Sequence, residues 1–255
     1  MATLPVLPRL HPEIERRLHA ALEDERTKRK STGRISLSEI GKCVRDLWAA
    51  HHGIPDERPP DGRALMTFDV GSALEDTVTG WLMKAGYRIS TGADGQQWRV
   101  TIEGETGAEI ASGRLDGLIL WGNPREQDWR LIEVKTAKAK RYEELVEAGS
   151  YRAWNPGYYD QVQAYMGASH SSIVTPSVSD SLVLVVCKDD ARVWSEMIRL
   201  DMDHFRTLEA KARVAVGDTM PEKPKEARGK SSKFCQWCSR KEWCYGPLVG
   251  VSFDD

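Results

Sequence analysis

The sequence lacks the features that mark membrane proteins, secreted proteins and repeat proteins. No apolar run approaches the roughly 20 residues that a transmembrane helix needs. The first segment, MATLPVLPRLHPEIERR, has no apolar core of the kind found in signal peptides, and no internal repeat is present. We therefore expect a cytoplasmic protein that does not act at a membrane.

Net charge and cysteine are also scarce. The net charge is only -2, so a polyanionic partner would have to be bound by a local basic surface. Hydrophobic residues form 40% of the chain and charged residues 29%, which is typical of a folded globular protein. The length of 255 residues fits one large domain or a domain with an appendage. The five cysteines are an odd number, and in a reducing compartment grouped cysteines are more often metal ligands or catalytic thiols than disulfides.

Local patterns predict helices followed by a sheet. Ser36 and Glu39 form a capping box that predicts a helix ending near Gly53, with Cys43 beside its apolar face. The segments GRLDGLILW and WRLIEVKTA predict two paired strands, and LVLVVC with RVWSEMIRL predicts a hairpin. Between these pairs, Asn155 can cap a helix that has Pro156 in its first turn.

Acidic residues occur within the predicted strands. Glu133 and Lys135 are two positions apart and so point to the same side of the sheet, and Asp116 can lie opposite them. Charges among apolar strands are costly unless something compensates them, and a divalent cation such as Mg2+ or Mn2+ would do so. Such a cation would make the cluster a site for phosphodiester hydrolysis.

A simpler interpretation is that Asp116 faces a turn and that Glu133 and Lys135 form a surface ion pair. On this triplet alone the simpler interpretation is the stronger one, because an E-x-K pattern is common by chance.

The surrounding motifs carry a family resemblance. GRLDGLI and LIEVKTAKA resemble the second and third motifs of RecB-like PD-(D/E)xK nucleases, GSALE places Glu75 four residues after Gly71, and Gln161 to Tyr165 matches a Q-x-x-x-Y helix. The resemblance covers roughly residues 36–245. It implies an α/β fold with a restriction-endonuclease-like core, in which helices flank a mixed central sheet.

The resemblance also implies roles for individual residues. Glu75, Asp116, Glu133 and the backbone carbonyl of Val134 would be metal ligands, and Lys135 would be the catalytic lysine. Gln161 and Tyr165 would shape the site or contact the DNA backbone, although a Gln–Tyr pair at this spacing can equally be a structural hydrogen bond.

Four of the cysteines suggest a second metal centre. Cys235, Cys238 and Cys244 form C-x2-C-x5-C, and the distant Cys43 can complete a tetrahedral site that ties the chain ends together. The spacing leaves the metal open, with zinc as the usual default. Cys187, within LVLVVC, is predicted to be a buried strand residue.

One cysteine before the nuclease motifs and three after them resemble the iron-sulfur nucleases of the RecB-like group, notably the CRISPR-associated exonuclease family four. That resemblance implies a structural [4Fe-4S] cluster in a small subdomain built from both chain ends. The chain has Glu75 where many CRISPR-associated members have histidine, which points towards phage-borne relatives and puts a role in spacer acquisition in doubt.

Basic and aromatic residues after the catalytic strand are candidate DNA contacts. Lys138, Lys140 and Arg141 can follow a phosphate backbone, and Trp154, Tyr151, Tyr158 and Tyr159 can stack unpaired bases. The alternatives are a solvated charged face and a tryptophan that packs over a helix end.

Together these features predict a helical region with the first cluster cysteine (1–62), a nuclease core (63–217) and a linker with a cysteine tail (218–255). We expect a Mg2+- or Mn2+-dependent exonuclease acting on single-stranded DNA or DNA ends, in phage or prokaryotic recombination, repair or CRISPR-type processing.

The competing classes are a non-catalytic DNA-binding or assembly module and a zinc-bearing, sequence-specific endonuclease. The intact set of carboxylates and lysine disfavours the first, and no base-reading element supports the second. The sequence does not decide between a monomer, a homo-oligomer and a complex with recombination or CRISPR proteins.

Overall fold

The computed structural model of the protein describes residues 12–28, 33–122, 128–225, 227, 232 and 235–246. Its helices are α1 (Pro12–Lys28), α2 (Val44–His51), α3 (Gly62–Lys84), α4 (Ala139–Ala148), α5 (Tyr151–Trp154), α6 (Pro156–Ser169), α7 (Met202–Ala215) and α8 (Lys241–Tyr245). Its strands are β1 (Ile35–Ser36), β2 (Arg88–Ser90), β3 (Gly92–Ala93), β4 (Gln96–Gln97), β5 (Arg99–Glu103), β6 (Glu109–Arg114), β7 (Gly117–Leu120), β8 (Trp129–Ala137), β9 (Asp180–Cys187) and β10 (Val193–Arg199). A short 3-10 helix, Leu37–Glu39, follows β1.

A five-stranded mixed sheet forms the centre of the fold, with strand order β10-β9-β8-β7-β2. Strands β8 and β9 are parallel, and the other neighbours are antiparallel. The chain crosses from β8 to the parallel β9 through α4, α5 and α6, as a parallel pair requires. The predicted strand pairs and the predicted mixed sheet are therefore confirmed.

The two faces of the central sheet are covered by different helices. Alternate residues of β8 point to opposite faces. Leu131 joins the larger core cluster with residues of α4, α6 and α7. Ile132 and Val134 join the smaller cluster with Val78 of α3. Glu133 and Lys135 therefore lie on the face that is covered by α6.

A smaller three-stranded sheet has the order β1-β6-β5 and is joined to the central sheet by the chain between β6 and β7. Strand β6 ends at Arg114, and β7 begins at Gly117, so the residues between them connect the two sheets. Strands β3 and β4 form a separate hairpin, in which a Cβ on Gly92 would lie 1.8 Å from the carbonyl oxygen of Gln96. A side chain there would force the hairpin apart.

The predicted capping box is wrong. The Ser36 side chain makes no capping hydrogen bond; a 3-10 turn follows it, and α2 begins only at Val44 with Cys43 as its N-cap residue. Between these elements Gly41 approaches α6 so closely that a Cβ would lie 2.5 Å from the Cα of Gly157. This tertiary contact requires a turn where the local pattern predicted a continuous helix.

Helix α6 begins as predicted. The Asn155 side chain accepts the backbone N–H of Tyr158 at 3.2 Å, and Pro156 occupies the first turn. Helix α7 follows β10, and the Asp201 side chain caps it by accepting the backbone N–H groups of Asp203 and His204. Among the described residues, no helix combines the length and the apolar character that crossing a bilayer would need.

The two ends of the described chain are in contact. Arg240 forms a buried ion pair with Asp46 at 2.9 Å, a second one with Asp56 at 2.9 Å, and a hydrogen bond to the carbonyl of Ile54 at 2.7 Å. Trp243 of α8 stacks on Trp48 of α2 with a ring-centroid distance of 6.4 Å. The Arg240 side chain therefore links the C-terminal segment to α2 and to the loop that follows α2.

We predict that Arg240→Ala lowers the free energy of unfolding by about 3 kcal/mol, because the mutation leaves the buried Asp46 without its partner. Arg206→Ala is the control, since Arg206 and Asp203 are paired but their side chains are 68% and 89% exposed. That mutation should change stability by no more than about 0.5 kcal/mol. Urea denaturation followed by circular dichroism measures both, and equal effects would contradict the prediction.

Candidate active site

Glu133 is the most deeply buried charged residue of the candidate site. Its relative exposure is 0%, and it lies in the middle of β8 facing α6. One carboxylate oxygen, Oε1, accepts a hydrogen bond from Nε2 of Gln161 at 2.8 Å and forms an ion pair with Nζ of Lys135. An isolated buried carboxylate would be strongly disfavoured, so these two donors are needed to hold the charge.

Asp116 lies in the connection between β6 and β7, next to Glu133. Its Oδ2 accepts the backbone N–H of Val134 at 2.9 Å. The β7–β8 ladder ends at the Gly117–Ile132 pair, and the Asp116 side chain takes over the next backbone donor of β8. Because the N–H and C=O of one strand residue point to the same edge, the Val134 carbonyl faces the edge where Asp116 lies.

Glu75 reaches the cluster from α3. Helix α3 packs against β8 near Gly71, where a Cβ would lie 3.8 Å from Oγ1 of Thr136. Burial raises the pKa of Glu75, and the negative charge of Asp116 raises it further. Glu75 therefore lies on a helix that packs on β8, and its carboxyl group is within the electrostatic influence of Asp116.

The pKa shifts show that ionising the carboxyl groups of this cluster is costly. Burial raises the pKa of Glu133 to about 8, although Lys135 opposes the shift. Burial likewise raises the pKa of Asp116. Burial alone would lower the pKa of Lys135, but Glu133 and Asp116 outweigh it and raise that pKa, so the ammonium stays protonated. Lys135 therefore offsets only part of the cost of ionising these carboxyl groups.

One oxygen of this cluster has no partner. Oε2 of Glu133 is buried and accepts no hydrogen bond from the described residues. Buried polar atoms without partners are rare and call for an explanation. A hard divalent cation prefers oxygen ligands of this kind, so the carboxylates and the free Glu133 oxygen suit Mg2+ or Mn2+ by their chemistry. As they stand, however, no three His, Cys, Asp or Glu side chains of the described residues are arranged around a common metal position.

Gln161 and Tyr165 are both buried, with relative exposures of 5% and 4%. Gln161 donates to Glu133. Burial raises the pKa of Tyr165, and the nearby Gln161 side chain opposes that shift. A Cβ on Gly113 of β6 would lie 2.3 Å from the Tyr165 ring, so this ring also packs on the strand that leads to Asp116. In this arrangement the pair supports the carboxylates and presents little surface to a DNA backbone.

The candidate DNA contacts lie beside the site. Lys138, Lys140 and Arg141 are exposed where β8 passes into α4. Trp154 is half-buried: its Nε1 donates to the carbonyl of Arg141 at 2.9 Å, and the Arg141 guanidinium lies 4.9 Å from its ring centroid. Nζ of Lys135 lies 5.5 Å from the ring centroid of Tyr158. Basic and aromatic side chains are therefore interleaved between Lys135 and the exposed residues at the start of α4.

Tyr151 corrects one expectation. Its relative exposure is 0%, so it cannot stack an unpaired base as the sequence suggested. Its ring packs instead against Tyr158, with a centroid distance of 6.2 Å.

The sequence patterns did not point to Asp76, which lines a surface cleft with Asp116 and the β3–β4 hairpin. Its position directly after Glu75 was the one available signal.

The four grouped cysteines line one cavity, together with Asp46 and Arg240. Burial raises the pKa of Cys43 and of Cys244, and it raises the pKa of Cys238 to about 11. Thiols with raised pKa values are poor nucleophiles, so the cavity does not resemble a catalytic thiol site. Cys187 is buried in β9, as predicted.

Comparison with known proteins places this geometry in a family. Residues 8–245 match the PD-(D/E)XK nuclease superfamily. The solved structure of SSO0001 is similar in fold, with 17% identity, a TM-score of 0.52, and 92% of this chain and 96% of that chain covered.

Two further solved structures are more distant. The alkaline exonuclease LHK-Exo from Laribacter hongkongensis is 15% identical with a TM-score of 0.48, and 79% of this chain and 90% of that chain are covered. A phage-related exonuclease from Haemophilus somnus 129PT is 12% identical with a TM-score of 0.48, and 72% and 93% are covered. No curated protein sequence matches the chain. On the match that spans nearly all of its residues, the chain belongs to the PD-(D/E)XK nuclease superfamily.

Proposed function

We propose that this protein is a deoxyribonuclease that hydrolyses phosphodiester bonds of DNA with Mg2+ or Mn2+. The observation that carries the proposal is the fully buried Glu133, with one oxygen held by Gln161 and Lys135 and the other oxygen free beside Asp116. A domain without catalytic function would have no reason to retain this arrangement against its energetic cost.

Glu75, Asp116, Glu133 and the Val134 carbonyl would hold the cation. When bound, the cation lowers the pKa of a coordinated water and neutralises charge on the phosphate. Gln161 keeps the Glu133 carboxylate in one orientation, and the buried Tyr165 lies on the same helix, one turn further along. These side chains therefore act on the ligands, whereas Lys135 lies where it can act on the reacting groups.

Lys135 supplies positive charge beside the carboxylates. Burial would lower its pKa, but Glu133 and Asp116 outweigh burial and raise it, so the side chain is an ammonium at neutral pH when no cation is bound. Its ammonium can donate hydrogen bonds that orient the water and stabilise the negative charge that develops on the phosphate. We therefore assign Lys135 an electrostatic role in the reaction.

We further propose that the substrate is single-stranded DNA or a DNA end and that cleavage is exonucleolytic. Exposed Lys138, Lys140 and Arg141 suit a phosphate backbone, and such contacts carry no sequence information. Trp154 and the half-buried Tyr158 offer aromatic surface for a base. The exonucleolytic preference rests on the resemblance of the sequence motifs to RecB-like nucleases, which also suggests a phage or prokaryotic recombination or repair setting.

A [4Fe-4S] cluster held by Cys43, Cys235, Cys238 and Cys244 is part of the proposal. In its support, all four thiols line one cavity between the two ends of the chain, and Fe–S clusters are held by four thiolates. The cluster would tie α2 to the C-terminal segment and take no part in hydrolysis. A cytoplasmic location, where thiols stay reduced, agrees with this chemistry.

We predict that Glu133→Gln lowers the cleavage rate of end-labelled DNA by at least about 10²- to 10³-fold, because it removes a charge from the cation site. Glu147→Gln is the matched control, since Glu147 is exposed on α4. Single-stranded and duplex substrates with Mg2+, Mn2+ or EDTA give the strand preference and the metal dependence. Absence of cleavage by the unmodified protein, with DNA binding intact, would favour a non-catalytic assembly module.

We also predict that Lys135→Ala abolishes cleavage while DNA affinity falls less than about threefold, because one phosphate contact among several is lost. Fluorescence anisotropy with a labelled oligonucleotide measures the affinity. Retained cleavage would show that Lys135 is only the ion-pair partner of Glu133.

For the cysteines, we predict that protein purified without oxygen is brown and contains iron and sulfide. Cys238→Ala should lose the colour and unfold at lower temperature, because the cluster joins both chain ends. Cys187→Ala, which changes the cysteine outside the cavity, should keep the colour. Colourless protein that contains zinc would contradict the iron-sulfur cluster and indicate a zinc site instead.

A further inference from the structure

Tyr151 contributes a buried hydroxyl group that none of the steps above uses. It is the first residue of the short helix α5, its relative exposure is 0%, and its hydroxyl has no hydrogen-bond partner among the described residues. Buried hydroxyl groups normally find partners, and a phenylalanine would fill the same space without the penalty of an unpaired polar atom.

The ring of Tyr151 is held in place from several sides. Its backbone N–H donates to Oε2 of Glu196 on β10 at 2.7 Å. The ring packs against Tyr158 at 6.2 Å and against Trp154 at 5.9 Å between centroids. Tyr158 in turn lies below the ammonium of Lys135. The hydroxyl is therefore fixed by the fold and is not a side chain free to seek solvent.

The Tyr151 ring is one residue removed from the candidate active site: it packs on Tyr158, and the centroid of the Tyr158 ring lies 5.5 Å from Nζ of Lys135. Burial raises the pKa of Tyr151 well above its ordinary value, and the charges of Glu133 and Asp116 add to the shift. The phenol is consequently neutral and keeps its proton at neutral pH, so it is available as a hydrogen-bond donor.

Two unpaired buried atoms thus occur in the same region, and they are complementary. The Tyr151 hydroxyl and Oε2 of Glu133 both lack a hydrogen-bond partner among the described residues, and the hydroxyl can donate to this oxygen when Glu133 is ionised. No direct hydrogen bond joins these two atoms. A single water that accepts from the Tyr151 hydroxyl and donates to Oε2 of Glu133 would give both of them a partner.

We propose that Tyr151 is a positioning residue of the candidate active site: through a bridging water, its hydroxyl orients the Glu133 oxygen that Gln161 and Lys135 leave free. Carboxylates that bind cations are themselves commonly oriented by hydrogen bonds, and losing such a partner weakens metal binding or activity by about 10- to 100-fold. The inference rests on the proposed function, because it assigns a task within that site.

The test compares Tyr151→Phe with the unmodified protein by two independent measurements. The first is Mn2+ affinity, from calorimetry or electron paramagnetic resonance, counting only the binding that Glu133→Gln abolishes. The second is the kinetics of DNA cleavage. We expect Mn2+ affinity to fall about tenfold and kcat to fall by a similar factor, with KM for DNA unchanged.

Stability distinguishes positioning from packing. Since the hydroxyl has no protein partner, Tyr151→Phe should unfold at the same temperature as the unmodified protein or at a higher one. Tyr142→Phe is the matched control: Tyr142 is also buried, but its ring packs against the Arg192 guanidinium, which lies 4.8 Å from the ring centroid. It should leave Mn2+ affinity and kcat unchanged.

The outcomes separate this inference from the proposed function. Mn2+ binding without cleavage in the unmodified protein would overturn the nuclease proposal, and the affinity of Tyr151→Phe would still decide the role of Tyr151. Cleavage by the unmodified protein, with parental affinity and kcat in Tyr151→Phe, would overturn the inference alone. Absence of any Glu133-dependent Mn2+ binding would overturn both.

Discussion

The buried charge of Glu133 is the constraint on which the rest of the site depends. A carboxylate inside a sheet that is covered on both faces can persist only if every neighbouring element supplies compensation. Strand β8 supplies Lys135, helix α6 supplies Gln161, and the β6–β7 connection supplies Asp116 as the acceptor for the adjoining backbone N–H. The same interactions that make the charge tolerable also fix its direction.

Lys135 compensates the carboxylates only in part, and this makes the cluster suited to binding a cation. Burial and the repulsion of neighbouring carboxylates raise the pKa values of Glu75, Asp116 and Glu133, and among the described residues Lys135 is the ammonium that opposes these shifts. Additional positive charge is therefore favoured at this position. The cysteine-lined cavity is separate in character, because four cysteine side chains and the Asp46–Arg240 pair line it. The fold thus keeps its candidate catalytic and structural centres apart.

The sequence predicted best where a short segment determines its own geometry. The E-x-K spacing on one strand places Glu133 and Lys135 on the same face, and Asn155 with Pro156 begins a helix whatever lies around it. The capping box at Ser36 was a misleading signal of the same local kind. There the close approach of Gly41 to Gly157 outweighs the local preference and places Cys43 just before α2. Distant backbone contacts of this kind leave no pattern in a single sequence.

The sequence by itself determined the superfamily, the strand that carries the acidic cluster, and the residue types that can hold a hard cation, because these follow from spacing and side-chain chemistry. Only the tertiary structure decided which charges are buried, which oxygen of Glu133 stays free, and that Tyr151 lies in the interior and not on the surface. Burial and hydrogen-bond partners depend on how α3, α5 and α6 pack on the sheet. That packing is a property of residues far apart in the chain, so no local pattern encodes it.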